Sequence, residues 1–136
     1  EANLVATRDH RGFAGFSMGS ITTIRVMMHC TDIASFYGSY SAGLYAETGK
    51  NAWSEIKTAI TSDALKEYDV GYWFNQSGTA DIALDPHEEL KNEVLADTDG
   101  LFENGENYAW ILIPGGSHAY NCWVMGLYNS LLVFYK

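Results

Sequence analysis

Short apolar runs alternate with longer amphipathic segments along the whole chain. Four of the runs have the length and composition of buried strands, at 11–16, 33–40, 68–75 and 108–113. Helical spacing of apolar residues follows each of them, at 18–30, 51–67, 85–96 and 120–135. Because strands alternate with helices throughout, the pattern favours an α/β fold with a parallel sheet and helices on both faces.

The first strand runs directly into the first helix through a serine flanked by glycines, Gly15-Phe16-Ser17-Met18-Gly19. This is the G-x-S-x-G pattern of a nucleophile elbow, a turn that holds the serine clear of the backbone so that a base can reach its hydroxyl. Such a turn predicts positive φ at Ser17, and an approach of strand and helix close enough to exclude a Cβ at Gly15 and Gly19. The strand before and the helix after are the context that the motif requires, so Ser17 is the candidate nucleophile.

A serine nucleophile needs a base and a residue that orients the base, and in a parallel sheet such groups lie at the carboxyl ends of strands. Asp81 and His118 follow the third and fourth predicted strands. The chain order of Ser17, Asp81 and His118 is the order of α/β-hydrolases. Asp85 is a second candidate for the orienting role, but it can equally cap the helix that starts there, so we favour Asp81.

The remaining histidines are less well placed to serve as the base. His10 precedes the first strand and therefore lies at the opposite edge of the sheet, and His29 lies at the far end of the first helix. His87 falls in the first turn of a helix, where the positive end of the dipole disfavours an imidazolium. His118 could instead be a loop histidine packed under the aromatic residues that follow it, and this interpretation stays open at this point.

The composition indicates one packed domain with little affinity for polyanions. Of the 136 residues, 47% are hydrophobic and 14% are aromatic, as expected for a globular core. With 8 basic and 17 acidic residues the net charge is −9, which disfavours nucleic acid and anionic membranes as partners. No run of about 18 apolar residues predicts a membrane span. Cys30 and Cys122 are expected to be free thiols, because their predicted positions are too far apart for a disulfide.

Three short stretches surround the candidate residues: DHRGFAGFSMGS at 9–20, GTADIA at 78–83 and PGGSH at 114–118. Together, and in this order, they resemble the feruloyl esterases and related xylan esterases of carbohydrate esterase family one. The resemblance covers essentially the whole chain. It implies a secreted or cellulosome-associated α/β-hydrolase that uses Ser17, His118 and Asp81 to release hydroxycinnamic acids or acetate from plant cell-wall xylan. Such an enzyme needs no metal or organic cofactor.

Three further residues are candidates for contacts with the substrate. The N–H of Met18 lies at the start of the helix after the elbow and is expected to be one donor of the oxyanion hole. Tyr45 and Trp123 are expected to bind the substrate. Tyr45 lies in the loop after the second strand, where feruloyl esterases of this group often carry a tryptophan that lines the phenolic pocket.

The resemblance is to the carboxyl-terminal half of such a domain. Residues 1–136 are therefore expected to be the carboxyl-terminal part of one α/β-hydrolase esterase domain, without its amino-terminal strands and without the loop that donates the second oxyanion N–H. We expect the open side of the elbow strand to be paired by a separate chain that carries this missing amino-terminal segment, or by a symmetry mate. Two other functions stay open: an esterase of the same scaffold acting on S-formylglutathione or a siderophore ester, and a non-catalytic fragment that binds carbohydrate or protein.

Overall fold

Four parallel strands form a single sheet in the computed structural model, which describes residues 7–43 and 52–135. The strands are β1 (Gly12–Phe16), β2 (Phe36–Tyr40), β3 (Tyr72–Ala80) and β4 (Tyr108–Ser117), and they lie in chain order across the sheet. The register aligns Phe16 with Tyr40 and Tyr40 with Gln76, and Ala80 with Ser117. The carboxyl ends of all four strands therefore lie at one edge, as expected for a parallel sheet.

Four helices in the described part of the chain cover the two faces of this sheet. They are α1 (Met18–His29), α2 (Ala52–Ile60), α3 (Leu84–Ala96) and α4 (Tyr120–Phe134), and a 3₁₀ turn at Arg8–His10 precedes β1. Neighbouring strand residues point to opposite faces, so Trp73 of β3 packs with α1, α2 and α3, whereas Phe74 packs with α4. The alternation of strands and helices predicted from the sequence is confirmed.

The third and fourth strands are longer than the sequence predicts. The predicted strands end at residues 75 and 113, but β3 continues to Ala80 and β4 to Ser117. Gly78 and Gly116 allow this pairing, because a Cβ added to Gly78 would lie 2.0 Å from the carbonyl oxygen of Gly116. The polar and glycine residues at 76–80 and 114–117 form strands because the neighbouring strand pairs with them, although their intrinsic β-propensity is low.

The helix after β3 begins one residue earlier than predicted. Leu84 is its first residue and Ala83 occupies the cap position, so the prediction that Asp85 caps this helix is wrong. Asp85 instead lies in the first turn, where a carboxylate still interacts favourably with the helix dipole.

Within the described residues, β1 pairs only with β2 and is one edge of the sheet. Its first three residues are exposed, including 40% of Phe13. Beside this edge, α4 turns a row of large apolar side chains to the outside: Tyr120, Val124, Met125, Leu127, Tyr128, Leu131 and Leu132. We expect an open strand edge next to an apolar surface if the sheet continues in another segment.

The structure also bears on the state of the two cysteines and on the length of the helices. Cys30 and Cys122 are both free thiols, Cys122 buried and Cys30 half-buried. Among the described helices, none is long and apolar enough to cross a membrane.

Candidate active site

Ser17 occupies the tight turn between β1 and α1. Its backbone has φ 56° and ψ −119°, a conformation that residues other than glycine rarely adopt. The Ser17 N–H donates to the carbonyl of Tyr40 at 2.9 Å, and its own carbonyl accepts from the N–H of Ser20 at 2.9 Å. Ser17 therefore both ends the hydrogen-bond ladder of β1 and begins α1. Its side chain projects from the carboxyl edge of the sheet.

Only one of the two flanking glycines is required by the packing. A Cβ added to Gly15 would lie 2.3 Å from the carbonyl oxygen of Gly19, so strand and helix could not approach each other with any other residue there. A Cβ added to Gly19 would meet nothing within 4 Å. The expectation of a steric requirement is therefore wrong at Gly19, whose backbone is the surface that Gly15 packs against.

The structure brings Ser17, His118 and Asp81 into one hydrogen-bonded line. Nε2 of His118 lies 2.8 Å from Oγ of Ser17, and Nδ1 of His118 lies 2.8 Å from Oδ1 of Asp81. Because an ionised carboxylate only accepts hydrogen bonds, Nδ1 carries the imidazole proton and Nε2 is free to accept from the serine hydroxyl. This is the tautomer that a general base for Ser17 needs.

Each of the three residues is positioned by the sheet. Ser17 follows β1, Asp81 follows β3 and His118 follows β4, so the parallel strands bring together residues that are far apart in the chain. The ring of Phe16 packs against that of His118, with 4.7 Å between their centroids. His118 is thus fixed by hydrogen bonds at both nitrogens and by a ring contact on its side.

Asp81 is held as a buried anion. Its side chain is fully buried, and Oδ1 accepts from the N–H of Ala83 at 2.8 Å as well as from His118. Burial pushes the pKa of this carboxyl up, but the Ser41 hydroxyl, the Ala83 N–H and His118 together outweigh it and hold the pKa below its ordinary value. Asp81 is therefore ionised at neutral pH and can keep the His118 ring in place.

The other sequence candidates do not reach Ser17. His10 bonds to Thr7, and His29 ends α1. His87 lies fully buried beside the ring of Trp110, and burial lowers its pKa to about 4. Asp85 lies with the acidic residues on the outer side of α3.

A cleft of about 150 Å³ lies beside Ser17. It is lined by Ser17, Met18, Ile21, Ser41, Ala42, Ile82, Ala83 and His118. Met18 and Ile82 are largely exposed, and they give this cleft an apolar rim. The Met18 N–H is the first of α1 and has no partner within the helix, so it is available to a negatively charged oxygen at the cleft.

Of the two predicted substrate contacts, only Trp123 can be placed, and it is not among the residues that line this cleft. Tyr45 lies outside the described residues. Trp123 is half-buried, and its ring stacks on that of Phe16 with 5.8 Å between centroids, so it supports the residue that packs on His118.

Sequence reasoning missed Ser41 and Ile82, which line the cleft. Their positions directly after β2 and beside Asp81 were the available signal, since both fall at the carboxyl edge of the sheet. No group of His, Cys, Asp or Glu suited to hold a metal ion occurs in residues 7–43 or 52–135.

Comparison with known proteins gives matches that span nearly all of this chain but only part of each relative. No protein-family model matches it. The chain is 31% identical over 139 residues to endo-1,4-beta-xylanase Y of Acetivibrio thermocellus, a match that takes in 97% of this chain and 12% of that protein. This relative is thus much longer than the matched region.

Solved structures share the fold. A protein named FAE matches with a TM-score of 0.79 and 28% identity, over 91% of this chain and 45% of its own. The feruloyl esterase module of Clostridium thermocellum, in a mutant form complexed with sinapinate, matches with a TM-score of 0.71 and 27% identity, over 93% of this chain and 46% of its own. S-formylglutathione hydrolase of Staphylococcus aureus shares the fold at 15% identity, with a TM-score of 0.74 over 98% of this chain and 54% of its own.

The chain spans about half the length of the solved proteins that it matches. Its parallel sheet with helices on both faces is that of the α/β-hydrolases, which confirms the predicted fold class. The matches to feruloyl esterases, which are carboxylic ester hydrolases, also confirm the family resemblance that the three sequence stretches indicate. The chain is thus similar, over nearly all of its own length, to about half of a feruloyl esterase module.

Proposed function

We propose that this chain carries the nucleophile, base and orienting residue of a serine esterase that cleaves feruloyl or acetyl esters of plant cell-wall xylan. The observation that carries the proposal is the continuous line of hydrogen bonds from Ser17 through His118 to Asp81, with both distances at 2.8 Å. The strained backbone of Ser17 supports it, because such strain persists only where the surrounding structure imposes it and is concentrated at functional sites.

The first half of the reaction would form an acyl-enzyme. Nε2 of His118 takes the hydroxyl proton of Ser17 as Oγ attacks the ester carbonyl carbon. The tetrahedral intermediate collapses when the same nitrogen returns the proton to the departing sugar oxygen. Asp81 holds the imidazole in the required tautomer and stabilises the imidazolium in between.

The second half would repeat these steps with water. His118 takes a proton from a water molecule that attacks the acyl carbon, then returns it to Oγ of Ser17, which releases the acid. The Met18 N–H would donate to the oxyanion in both halves, since the first N–H of a helix is unpaired and lies at the positive end of the dipole.

A hydroxycinnamoyl or acetyl ester fits what surrounds Ser17. The cleft is small and its rim is apolar at Met18 and Ile82, which suits an aromatic or methyl acyl group better than a charged one. The net charge of −9 disfavours a polyanionic substrate but not a neutral polysaccharide. The complex of the Clostridium thermocellum module with sinapinate supports an aromatic acyl group. A polysaccharide substrate implies that the reaction takes place outside the cell.

We further propose that the open side of β1 and the outer face of α4 are covered by amino-terminal strands and helices, in a second chain or in a segment that precedes this one. α4 supports this, because it packs Cys122, Gly126, Ser130 and Phe134 on the sheet and leaves most of its other large apolar residues outside. One oxyanion donor is worth about 10²–10³ in rate, so a second donor from that segment would decide whether hydrolysis is fast.

Two measurements on the purified chain test this proposal. The first compares hydrolysis of methyl ferulate, acetylated xylan, an aryl acetate and S-formylglutathione, with Ser17→Ala as the matched control. The second follows covalent trapping of Ser17 by a fluorophosphonate, detected by mass spectrometry. We expect trapping of Ser17 that is lost in His118→Ala, and methyl ferulate or acetylated xylan as the preferred substrate.

Each alternative function predicts a different result. Faster turnover of S-formylglutathione than of methyl ferulate would favour an esterase with another substrate. A folded chain in which Ser17 is neither trapped nor able to cleave any ester would favour a non-catalytic binding fragment.

A further inference from the structure

Two residues other than glycine have positive φ in the described ranges, and they are Ser17 at 56° and Ser41 at 57°. The first is explained by the elbow. The second is not part of the motif and lies directly after β2, at the same edge of the sheet as Ser17. A strained backbone of this kind persists only where neighbouring structure holds it, so the contacts of Ser41 show what it does.

The segment from Ser41 to Gly43 is held from three sides. Its N–H donates to the carbonyl of Gln76 at 2.8 Å, which extends the β2–β3 ladder by one residue. The next residue, Ala42, accepts a hydrogen bond at 2.7 Å from the hydroxyl of Ser20 in α1. Gly43 then passes so close to α3 that an added Cβ would lie 2.6 Å from the carbonyl oxygen of Pro86. The backbone of Ser41 is therefore fixed between the sheet and two helices.

The side chain of Ser41 is buried beside Asp81. Oδ1 of Asp81 already accepts from Ala83 and His118, whereas Oδ2 is buried and has no hydrogen-bond partner. The Ser41 hydroxyl is also buried without another partner, and it lies close enough to lower the pKa of the Asp81 carboxyl. A buried carboxylate oxygen without a donor is costly, and Ser41 Oγ is a donor that can satisfy it.

We infer that the strained backbone at Ser41 presents its hydroxyl to Oδ2 of Asp81, and that Ser41 is a positioning residue for the proposed esterase site. With Oδ1 bound by Ala83 and His118 and Oδ2 bound by Ser41, the carboxylate cannot rotate about its Cβ–Cγ bond. Its negative charge is then directed at Nδ1 of His118. The inference rests on the proposed function for its catalytic meaning, but the contact between Ser41 and Asp81 can be tested without any activity.

Three titratable groups face Asp81 from the elements packed around it: His118 after β4, His87 on α3 and Cys122 on α4. Burial lowers the pKa of His87 to about 4 and raises that of the Cys122 thiol, so both are neutral near pH 7. His87 interacts with Asp81 only through its charge when protonated, without a hydrogen bond between them. None of these three groups donates to Oδ2, so that oxygen is open to the Ser41 hydroxyl.

The direct test is an NMR titration of the Asp81 carboxyl carbon in folded protein. We expect this carbon to titrate at higher pH in Ser41→Ala than in the wild-type chain, because the carboxylate loses a donor. Ser41→Gly also removes the hydroxyl but relieves the positive φ, so it should show the same rise and a higher melting temperature than Ser41→Ala. Thr31→Val is the matched control, since it removes another buried, unpartnered hydroxyl beyond the far end of α1.

A second measurement connects the contact to the reaction. The rate of Ser17 trapping by a fluorophosphonate should fall by about tenfold in Ser41→Ala, as expected for a lost hydrogen bond to a charged group. The same substitution should have no further effect in an Asp81→Asn background, because the two residues act through one contact. A purely structural role would slow trapping in both backgrounds.

The outcomes separate the two proposals. An Asp81 titration that is unchanged in both Ser41→Ala and Ser41→Gly overturns the inference, as does an equal effect of Ser41→Ala with and without Asp81→Asn. If Ser17 is not trapped in any variant, the proposed esterase function fails, while the Asp81 titration still decides whether Ser41 holds the carboxylate.

Discussion

The two faces of the sheet are built in opposite ways. On one face α1, α2 and α3 bury their apolar residues in a large continuous core around Trp73 and Tyr108. On the other face α4 turns its small residues inward, and the buried core there consists of Tyr40, Phe74 and Phe134. The first face is covered by α1, α2 and α3 within the described residues, and we call it the finished face. The second face has the apolar exposure of one side of an interface.

This difference separates the part of the candidate site that the chain builds by itself from the part that a covering segment would supply. The candidate site lies at the carboxyl edge of the strands, and its residues are tied to the finished face through Ser41, Asp81 and the start of α3. The hydrogen bonds that join Ser17, His118 and Asp81 all lie within this chain, and α4 adds one contact through Trp123, which stacks on Phe16. The speed of the reaction can depend on what covers α4, since the second oxyanion donor would come from beyond the open edge of β1.

The largest effect is expected from the two residues that exchange the proton. Ser17→Ala and His118→Ala should each reduce ester hydrolysis by about 10⁶, and the double variant should be hardly worse, because such residues act as a unit. The melting temperature should change little, since neither side chain lies in the core of the finished face. Steady-state kinetics with calorimetry on the three variants measures both quantities. Additive losses in the double variant would contradict a shared mechanism.

Asp81 and Asp85 offer a matched pair of acidic residues four positions apart. Asp81→Asn should slow the reaction by up to about 10⁴, because the amide would favour the wrong tautomer of His118. Asp85→Asn should leave the rate unchanged and cost at most about 1 kcal/mol of stability, through the dipole of α3. Kinetics and denaturant unfolding of both variants check this. A large loss of rate in Asp85→Asn alone would reverse the assignment of the orienting residue.

The finished face should respond strongly to a cavity. Ile24 of α1 is fully buried in the large core. Ile24→Ala should lower the free energy of unfolding by about 2–5 kcal/mol, because the cavity that it leaves cannot be filled by its neighbours. Urea unfolding followed by fluorescence gives this number directly. A loss below about 1 kcal/mol would show that this core is less tightly packed than the structure indicates.

Much of this arrangement can be predicted from the sequence, because it rests on local patterns. The elbow, the alternation of strands and helices, and the order of Ser17, Asp81 and His118 are all local or follow from parallel topology. The ends of β3 and β4 could not be predicted in this way. Gln76, Gly78 and Gly116 look like loop residues, and they belong to strands only because of contacts across the sheet and with α4.

The position of Ser41 at the carboxyl edge can be predicted from the sequence, but its contact with Asp81 cannot, for a related reason. A serine after a strand has no local signature that distinguishes it from any loop residue. Its positive φ occurs where the chain passes between the sheet and two helices, and its inferred partner is a carboxylate oxygen forty positions away. Both depend on tertiary contacts, which a pattern of residue types does not encode.

Acid should destabilise the finished face through His87. Its pKa is about 4 in the folded chain against 6.5 ordinarily, because burial disfavours the charged ring. Between these values the unfolded chain binds a proton that the folded chain does not, so stability falls as the pH is lowered from about 6.5 to 4, by up to about 3 kcal/mol.

His87→Leu should remove this part of the pH dependence, whereas His29→Gln, at an exposed position on α1, should retain it. Urea unfolding of the three proteins across this pH range is the measurement. Parallel curves for wild-type and His87→Leu would mean that His87 binds protons equally in the folded and unfolded chains, which contradicts the lowered pKa.

The smallest effect on stability, and the sharpest contrast with the finished face, is expected on the outer side of α4. Tyr128 and Leu131 lie three positions apart on this helix and are 63% and 50% exposed. Replacing each with lysine should change the free energy of unfolding by less than about 0.5 kcal/mol, because neither side chain is packed in the chain alone.

The same two substitutions should change association, if this surface is one side of an interface. Light scattering after size exclusion should find the wild-type chain larger than 15.1 kDa and the double variant Tyr128→Lys, Leu131→Lys at the monomer mass. Ser130→Ala offers a control on the inner stripe of α4, since its hydroxyl bonds to Tyr40 at 2.6 Å, so it should lower stability without changing association. A wild-type chain that is monodisperse at 15.1 kDa and hydrolyses methyl ferulate at full speed would contradict a shared face, because the open edge of β1 would then need no partner for either folding or catalysis.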